Sequence, residues 1–126
     1  MDGAFANLTR WVRHGVPAPD IPLITTSSSG QIETDADGNA LGGLRTPYVD
    51  VPTETYYGTT PGTGTCELLW GHDEPFARYY LKTLYPTHSD YVSKVTQDVG
   101  KLVGEHYLTA ADGRKITAQA ARSRVP

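Results

Sequence analysis

Apolar positions near the start recur at helical spacing. Phe5, Leu8 and Val12 share one face, with Ala4 and Trp11 beside it, so residues 3 to 14 are predicted to form an amphipathic helix. Gly15 followed by Pro17 ends it. A helix beginning almost at Met1 has little sequence before it to pack against. Its apolar face requires a partner from elsewhere in the chain or from outside it.

The pattern changes from residue 16 to 71, where 8 Gly and 6 Pro leave no helical window of useful length. Pro22-Leu23-Ile24-Thr25-Thr26 and Gln31-Ile32-Glu33-Thr34 are β-rich and flank Ser27-Ser28-Ser29-Gly30, which predicts two short strands around a polar turn. Asp35-Ala36-Asp37-Gly38-Asn39 is a second turn. Within Asn39-Ala40-Leu41-Gly42-Gly43-Leu44-Arg45-Thr46-Pro47-Tyr48-Val49-Asp50-Val51-Pro52, the paired glycines permit positive φ or close backbone approach. Pro47 and Pro52 then hold their flanks extended around a buried-looking Tyr-Val-Asp-Val run. An irregular connection this long is usually functional or draped over something larger, and draping is the expectation here.

Helical periodicity returns from residue 73 to 124. Pro75 suits a first helical position, with Asp73 or Glu74 as cap, and Phe76, Tyr80 and Leu84 form a stripe that Pro86 ends. Thr87-x-x-Asp90 resembles a capping box, and Val92, Val95, Val99, Leu102 and Val103 continue the helix to about residue 106. Thr109-x-x-Asp112 opens a last helix through Ile116 and Ala120, in which Gly113 is expected to lose ~1 kcal/mol relative to Ala. Helix should dominate, with little strand.

A chain of 126 residues is one domain's worth and buries one modest core. Eight Tyr against two Phe make its apolar surface amphipathic, which suits interfaces and half-buried loops. Residues 1 to 71 carry 3 basic and 8 acidic side chains, and residues 72 to 126 carry 8 and 6. Neither part is basic enough to imply a nucleic-acid partner. No run approaches the ~20 apolar residues of a membrane span, and Met-Asp-Gly-Ala-Phe lacks the order of a signal peptide. The lone Cys66 reads as a small buried hydrophobe beside Glu67-Leu68-Leu69-Trp70, with no disulfide or multi-cysteine zinc site implied.

Candidate chemistry is sparse. A serine hydrolase needs its nucleophile on a tight strand-to-helix elbow with a His base and an orienting acid. The chain has no such elbow, and Ser27 to Ser29 read as a solvated turn. His14, His72, His88 and His106 are scattered without ligand spacing, so neither a metal nor a cofactor is expected. In His72-Asp73 the aspartate reads as a helix cap and the histidine as a loop residue. Asp35-x-Asp37-x-Asn39 matches only the opening of a calcium loop, with its glycine too early and Thr46 where the bidentate Glu belongs. Arg45 and Asp50 stand out, because charges among apolar neighbours in a Gly/Pro-held loop either pair with each other or bind another segment. Arg45, Tyr48 and Asp50 are therefore the candidate binding or pocket-adjacent residues. No catalytic residue is assigned.

Three blocks carry a family resemblance: Leu8-Thr9-Arg10-Trp11-Val12-Arg13-His14-Gly15-Val16-Pro17-Ala18-Pro19; Asp37-Gly38-Asn39 running on to Val51-Pro52; and Leu84-Tyr85-Pro86 followed by Tyr91-Val92. In order and spacing they resemble the C-terminal end of the bacterial alpha/beta-hydrolase-domain proteins, of esterase or lipase type and often exported. The resemblance implies an α/β-derived fragment: an N-terminal helix over 1–15, loop and short strands over 16–71, and about three helices over 72–126. It also implies that nucleophile and catalytic His lie upstream of residue 1, so that the chain is a partial hydrolase whose partner is the missing core. Only the Gly42-Gly43-Leu44-Arg45-Thr46-Pro47 loop carries over, as a structural or pocket-adjacent element. The alternative is a non-catalytic module that binds another protein chain through its Tyr-, Gly- and Pro-rich loop.

Overall fold

A computed structural model of the chain describes residues 2–62, 64, 65 and 69–126. The helix α1 spans Asp2–His14 and closes where the Gly15 amide bonds the Trp11 carbonyl at 2.8 Å. It docks on the segment 106–108 through buried Gly3 and Asn7, which lie one turn apart on one face, and Asn7 Nδ2 donates to the His106 carbonyl at 2.8 Å. Phe5 and Val12 lie away from that contact, 64% and 77% exposed, whereas Leu8 and Trp11, 50% and 57% exposed, line a cavity with Gly3, Asn7 and Tyr107.

The β-rich stretches near residues 24 and 32 do not build a two-stranded ladder as expected. They join a third segment near residue 41 in a closed ring: the Thr25 amide donates to Leu41, the Leu41 amide to Glu33 and the Glu33 amide to Thr25, each at 2.9 Å. Single antiparallel bridges Ile24↔Gly42, Thr26↔Ile32 and Thr34↔Ala40 accompany them. Each segment divides its bonds between two partners, so none extends into a strand. Gly42 makes the closure possible. At φ 75° a Cβ there would lie 2.2 Å from the Leu23 carbonyl oxygen.

Between the extended flanks expected at the prolines, the Tyr-Val-Asp run forms a helical turn, α2, over Pro47–Asp50. Thr46 keeps the extended backbone that precedes proline, and Pro47 supplies the preset φ of a first helical position. Tyr48 is consequently half-exposed, while Val51 just beyond the turn is buried.

The strand β1, Glu54–Tyr57, pairs antiparallel with β2, His72–Pro75, in the register Glu54↔Pro75 to Tyr57↔His72. This is the only named sheet among the described residues. It corrects the sequence-based assignment of 73–75 as a helix start. Asp73 and Glu74 lie in a strand, and Pro75 takes a strand-end position that proline tolerates. Tyr57 and His72 stack across the pair with ring centroids 4.5 Å apart and planes 9° apart. Helix α3 then begins three residues later than expected, at Arg78–Leu84, with Ala77 as its N-cap.

Helix α4, His88–Gly104, carries both halves of its capping box: the Asp90 amide donates to Thr87 Oγ1 at 3.2 Å and the Thr87 amide to Asp90 Oδ2 at 2.9 Å. Its last turn reverses at His106, whose φ of 65° lets the amides of Tyr107 and Leu108 return to the Leu102 carbonyl. Helix α5, Ala110–Arg122, opens on Thr109, which accepts from the Asp112 amide at 3.1 Å. Gly113 has a purpose the sequence did not show. It is buried where α5 crosses α4, and a Cβ there would lie 2.8 Å from Val99 Cγ1.

The core sits between α4 and α5. Val95, Val99 and Ala120 pack with Val51 from the loop and with Tyr85, whose hydroxyl donates to the buried Pro52 carbonyl at 2.8 Å. The molecule is a small mixed α/β unit: an N-terminal helix, irregular loop with short strands, then three helices. No helix among the described residues is long and apolar enough to cross a membrane. Cys66, with Glu67 and Leu68, lies outside the described residues. Leu69 and Trp70 belong to no named strand and are exposed.

Candidate functional site

Arg45 is the hub of the long loop. Its Nε donates to Asp50 Oδ1 at 2.5 Å and its Nη2 to Asp35 Oδ2 at 2.6 Å, with the arginine side chain 20% exposed. Further bonds from the guanidinium reach the Ala40 carbonyl and the Val49 carbonyl, the latter at 3.1 Å. One planar fork therefore joins the turn at residue 35, the ring segment at residue 40 and helix α2.

Asp35 is the partner that the sequence did not mark. Its Oδ1 already accepts the amides of Asp37 and Asn39 at 3.0 and 2.9 Å, an Asx turn that leaves Oδ2 for the arginine. Burial by itself would raise the Asp35 carboxyl, but the bond from Arg45 and the two amides outweigh it and hold it below the usual carboxylate range. Burial likewise opposes the charge on Arg45, and the carboxylates of Asp50 and Asp35 more than restore it.

The turn is tied to the sheet beneath it. Asn39 is fully buried, donating to the Glu54 carbonyl at 3.2 Å and accepting from the Tyr56 amide at 2.9 Å. Thr55 donates to the Asp37 carbonyl at 2.7 Å and the Tyr80 hydroxyl to Asp37 Oδ1 at 2.5 Å. The resemblance of 35–39 to a calcium loop thus finds its oxygens bonded to amides, a guanidinium and a phenol.

Arg45 and Asp50 line a cleft of about 290 Å³ whose far wall carries Lys101 and Glu105 of α4. On that helix Asp98 is under strain of another kind: its Oδ2 is buried without a hydrogen-bond partner among the described residues. Burial, and then the nearby Asp50 carboxylate, push its carboxyl above the usual range. Tyr48 points elsewhere. Its hydroxyl lies 3.3 Å from Gln119 Oε1 on α5, and the ring lines a second cavity of about 190 Å³.

The residues weighed for hydrolysis are separately engaged. Ser27 Oγ contacts Ser29 Oγ at 2.9 Å in an exposed turn. His72, a strand residue rather than a loop one, holds the Thr59 carbonyl through Nδ1 at 2.8 Å, and its Nε2 is 3.7 Å from Glu74. His88 reaches the carbonyls of Val125 and Ala121 at 2.6 and 3.3 Å, bracing the start of α4 against the end of the chain. No three His, Cys, Asp or Glu side chains converge as metal ligands among the described residues.

No curated protein and no solved structure matches the chain. A family model does, described as alpha/beta hydrolase domain, and it covers residues 1–118, which include α1, the arginine-held loop, the sheet, α4 and most of α5. The chain belongs to the alpha/beta hydrolase domain family.

Proposed function

We propose that the chain is a C-terminal segment of an α/β-hydrolase-like carboxylic-ester hydrolase, one that contributes structure around a pocket and leaves nucleophile and catalytic His to the rest of the hydrolase. The observation that carries this is the apolar face of α1, where Phe5 and Val12 stand open and Leu8 and Trp11 are half-exposed, on a helix whose buried residues are Gly3 and Asn7. Membership of a hydrolase family supports this reading, since helices of α/β proteins bury such faces on a sheet. Arg45 and Asp50 then act as a clasp that holds the loop at the 290 Å³ cleft, and Tyr48 is a second pocket-adjacent residue.

A second reading, a module that binds another protein through its Tyr-, Gly- and Pro-rich loop, draws on Tyr48 and Tyr57, both exposed. The two differ in which surface is used. Substitutions on α1 should impair assembly under the first, and substitutions of these tyrosines under the second.

The direct test is hydrolysis of nitrophenyl esters of several chain lengths by purified residues 1 to 126. Nucleophile, base and oxyanion donors act as a unit, so the expected rate is that of a control lacking Ser27, Ser28 and Ser29. Saturable turnover that His72→Ala or the triple serine variant abolishes would overturn the proposal.

A further inference from the structure

The cavity beside Tyr48 has a composition unlike that of the cleft at Arg45. Its floor is core: Val51, Val95 and Ala120. Its walls include the rings of Tyr48 and Tyr91, and the sole charged side chain lining it is Glu54, with no Lys, Arg or His. Glu54 makes no ion pair among the described residues. One of its oxygens, Oε1, accepts the Tyr56 hydroxyl at 2.5 Å, a bond from a neutral donor.

We infer that this cavity binds a small organic cation, an alkylammonium group, with Glu54 as counter-charge and Tyr48 and Tyr91 as aromatic walls.

Three properties point to that class. A carboxylate beside apolar and aromatic surface, with no Lys, Arg or His among the lining residues, repels anions and is completed by a positive group. Aromatic faces attract weakly hydrated organic cations through the ring quadrupole. Both rings are braced: Tyr91 packs edge-on to buried Tyr85 with centroids 5.1 Å apart, and the Tyr48 hydroxyl lies 3.3 Å from Gln119. Burial raises the Tyr91 phenol, and Tyr48 and Glu54 add to it, so the ring stays neutral across the physiological range.

Size and donor type narrow the ligand further. About 150 Å³ holds a benzene ring and drug-sized ligands need roughly 300 Å³ or more, so about 190 Å³ suits a headgroup of a few heavy atoms. Thr53, Gln119 and Ser123 add neutral oxygens to the lining, but a hard divalent ion is commonly held by more than the one carboxylate present. The inference does not rest on the hydrolase proposal, since neither α1 nor any ester chemistry enters it.

The test is a titration of the 126-residue chain, observed by amide chemical shifts, with tetramethylammonium chloride. Sodium chloride controls for ionic strength and tert-butanol for shape. Saturable shifts at Tyr48, Tyr91 and Gln119 with tetramethylammonium alone are expected. Glu54→Gln should weaken binding at least tenfold, and Tyr48→Leu should weaken it while Tyr48→Phe retains it. The latter pair sits at a half-exposed position and serves even where the Glu54 variant folds poorly. Because a free amine and a methylated lysine share this chemistry, acetylated trimethyllysine amide forms a further arm. Tighter binding than tetramethylammonium assigns the site to a peptide side chain, and equal or weaker binding assigns it to a free cation. Absence of saturable shifts, equal binding of tert-butanol, or unchanged affinity in Glu54→Gln would overturn the inference.

Discussion

At the scale of single residues, Arg45 concentrates more of the loop's stability than any other side chain. Its fork pairs with two carboxylates and satisfies two carbonyls from three segments, so Arg45→Ala would leave Asp35 and Asp50 facing each other across an unfilled space. Breaking such a partly buried network costs about 2–4 kcal/mol, which thermal melting at pH 7 should register as a clear fall. Arg45→Lys should recover little of it, because a point charge cannot span the same partners. The pH dependence has a definite sign. The Asp35 carboxyl is held below its unfolded value, so its contribution is complete above about pH 4 and disappears as pH falls through the folded value. The gap between wild type and Arg45→Ala should therefore narrow in acid, and a gap independent of pH would place the loss in packing. The arginine and Asp50 were legible in the sequence because charge in a Gly/Pro-held apolar loop demands a partner. Asp35 was not, since a plain Asp-x-Asp-Gly turn already accounts for it and hides the second oxygen.

Among the elements, local signals decided where their hydrogen bonds were local. The capping box of α4 and the Gly15 stop of α1 are read from residues three or four apart, and the structure places both where the sequence does. Asp73-Glu74-Pro75 carries an equally good helix-start signal yet forms β2, because pairing with β1 and the Tyr57–His72 stack come from residues far away in sequence. Propensity loses there to a non-local ladder. Gly113 shows the same limit from the other side. Intrinsic helix preference predicts that Gly113→Ala gains about 1 kcal/mol. The crossing of α4 and α5 predicts the opposite, since the new methyl would meet Val99 Cγ1 at 2.8 Å and Val103 Cγ2 at 3.1 Å. Both neighbours are stiff β-branched side chains, and overpacking of this kind costs about 1–3 kcal/mol. Gly113→Ala should thus lower the midpoint of denaturant unfolding, and Val99→Ala should restore part of the loss in a double-mutant cycle. A stabilised Gly113→Ala would mean that the helices separate without penalty.

At the scale of the whole molecule, the distribution of apolar surface is the unusual property. Among the described residues the buried cluster lies between α4, α5 and the loop, while α1 leaves Phe5 and Val12 open and Leu8 and Trp11 half-exposed. A helix that used this face to hold the fold would lose several kcal/mol on truncation, as buried large side chains do. Here the buried contacts are Gly3 against the Tyr107 carbonyl and the Asn7 bond to His106. The triple variant Phe5→Ser, Leu8→Ser, Val12→Ser should therefore leave the thermal midpoint within the small range of surface substitutions, about 0.5 kcal/mol per site. Asn7→Ala should lower it, because the part-buried bond from this side chain to the His106 carbonyl would be lost. The same triple variant should sharply reduce binding of a hydrophobic dye and concentration-dependent self-association, since an exposed contiguous apolar patch drives both. A large drop in stability on removing Phe5, Leu8 and Val12 would show that α1 folds back onto this chain, and the face would no longer require an external partner.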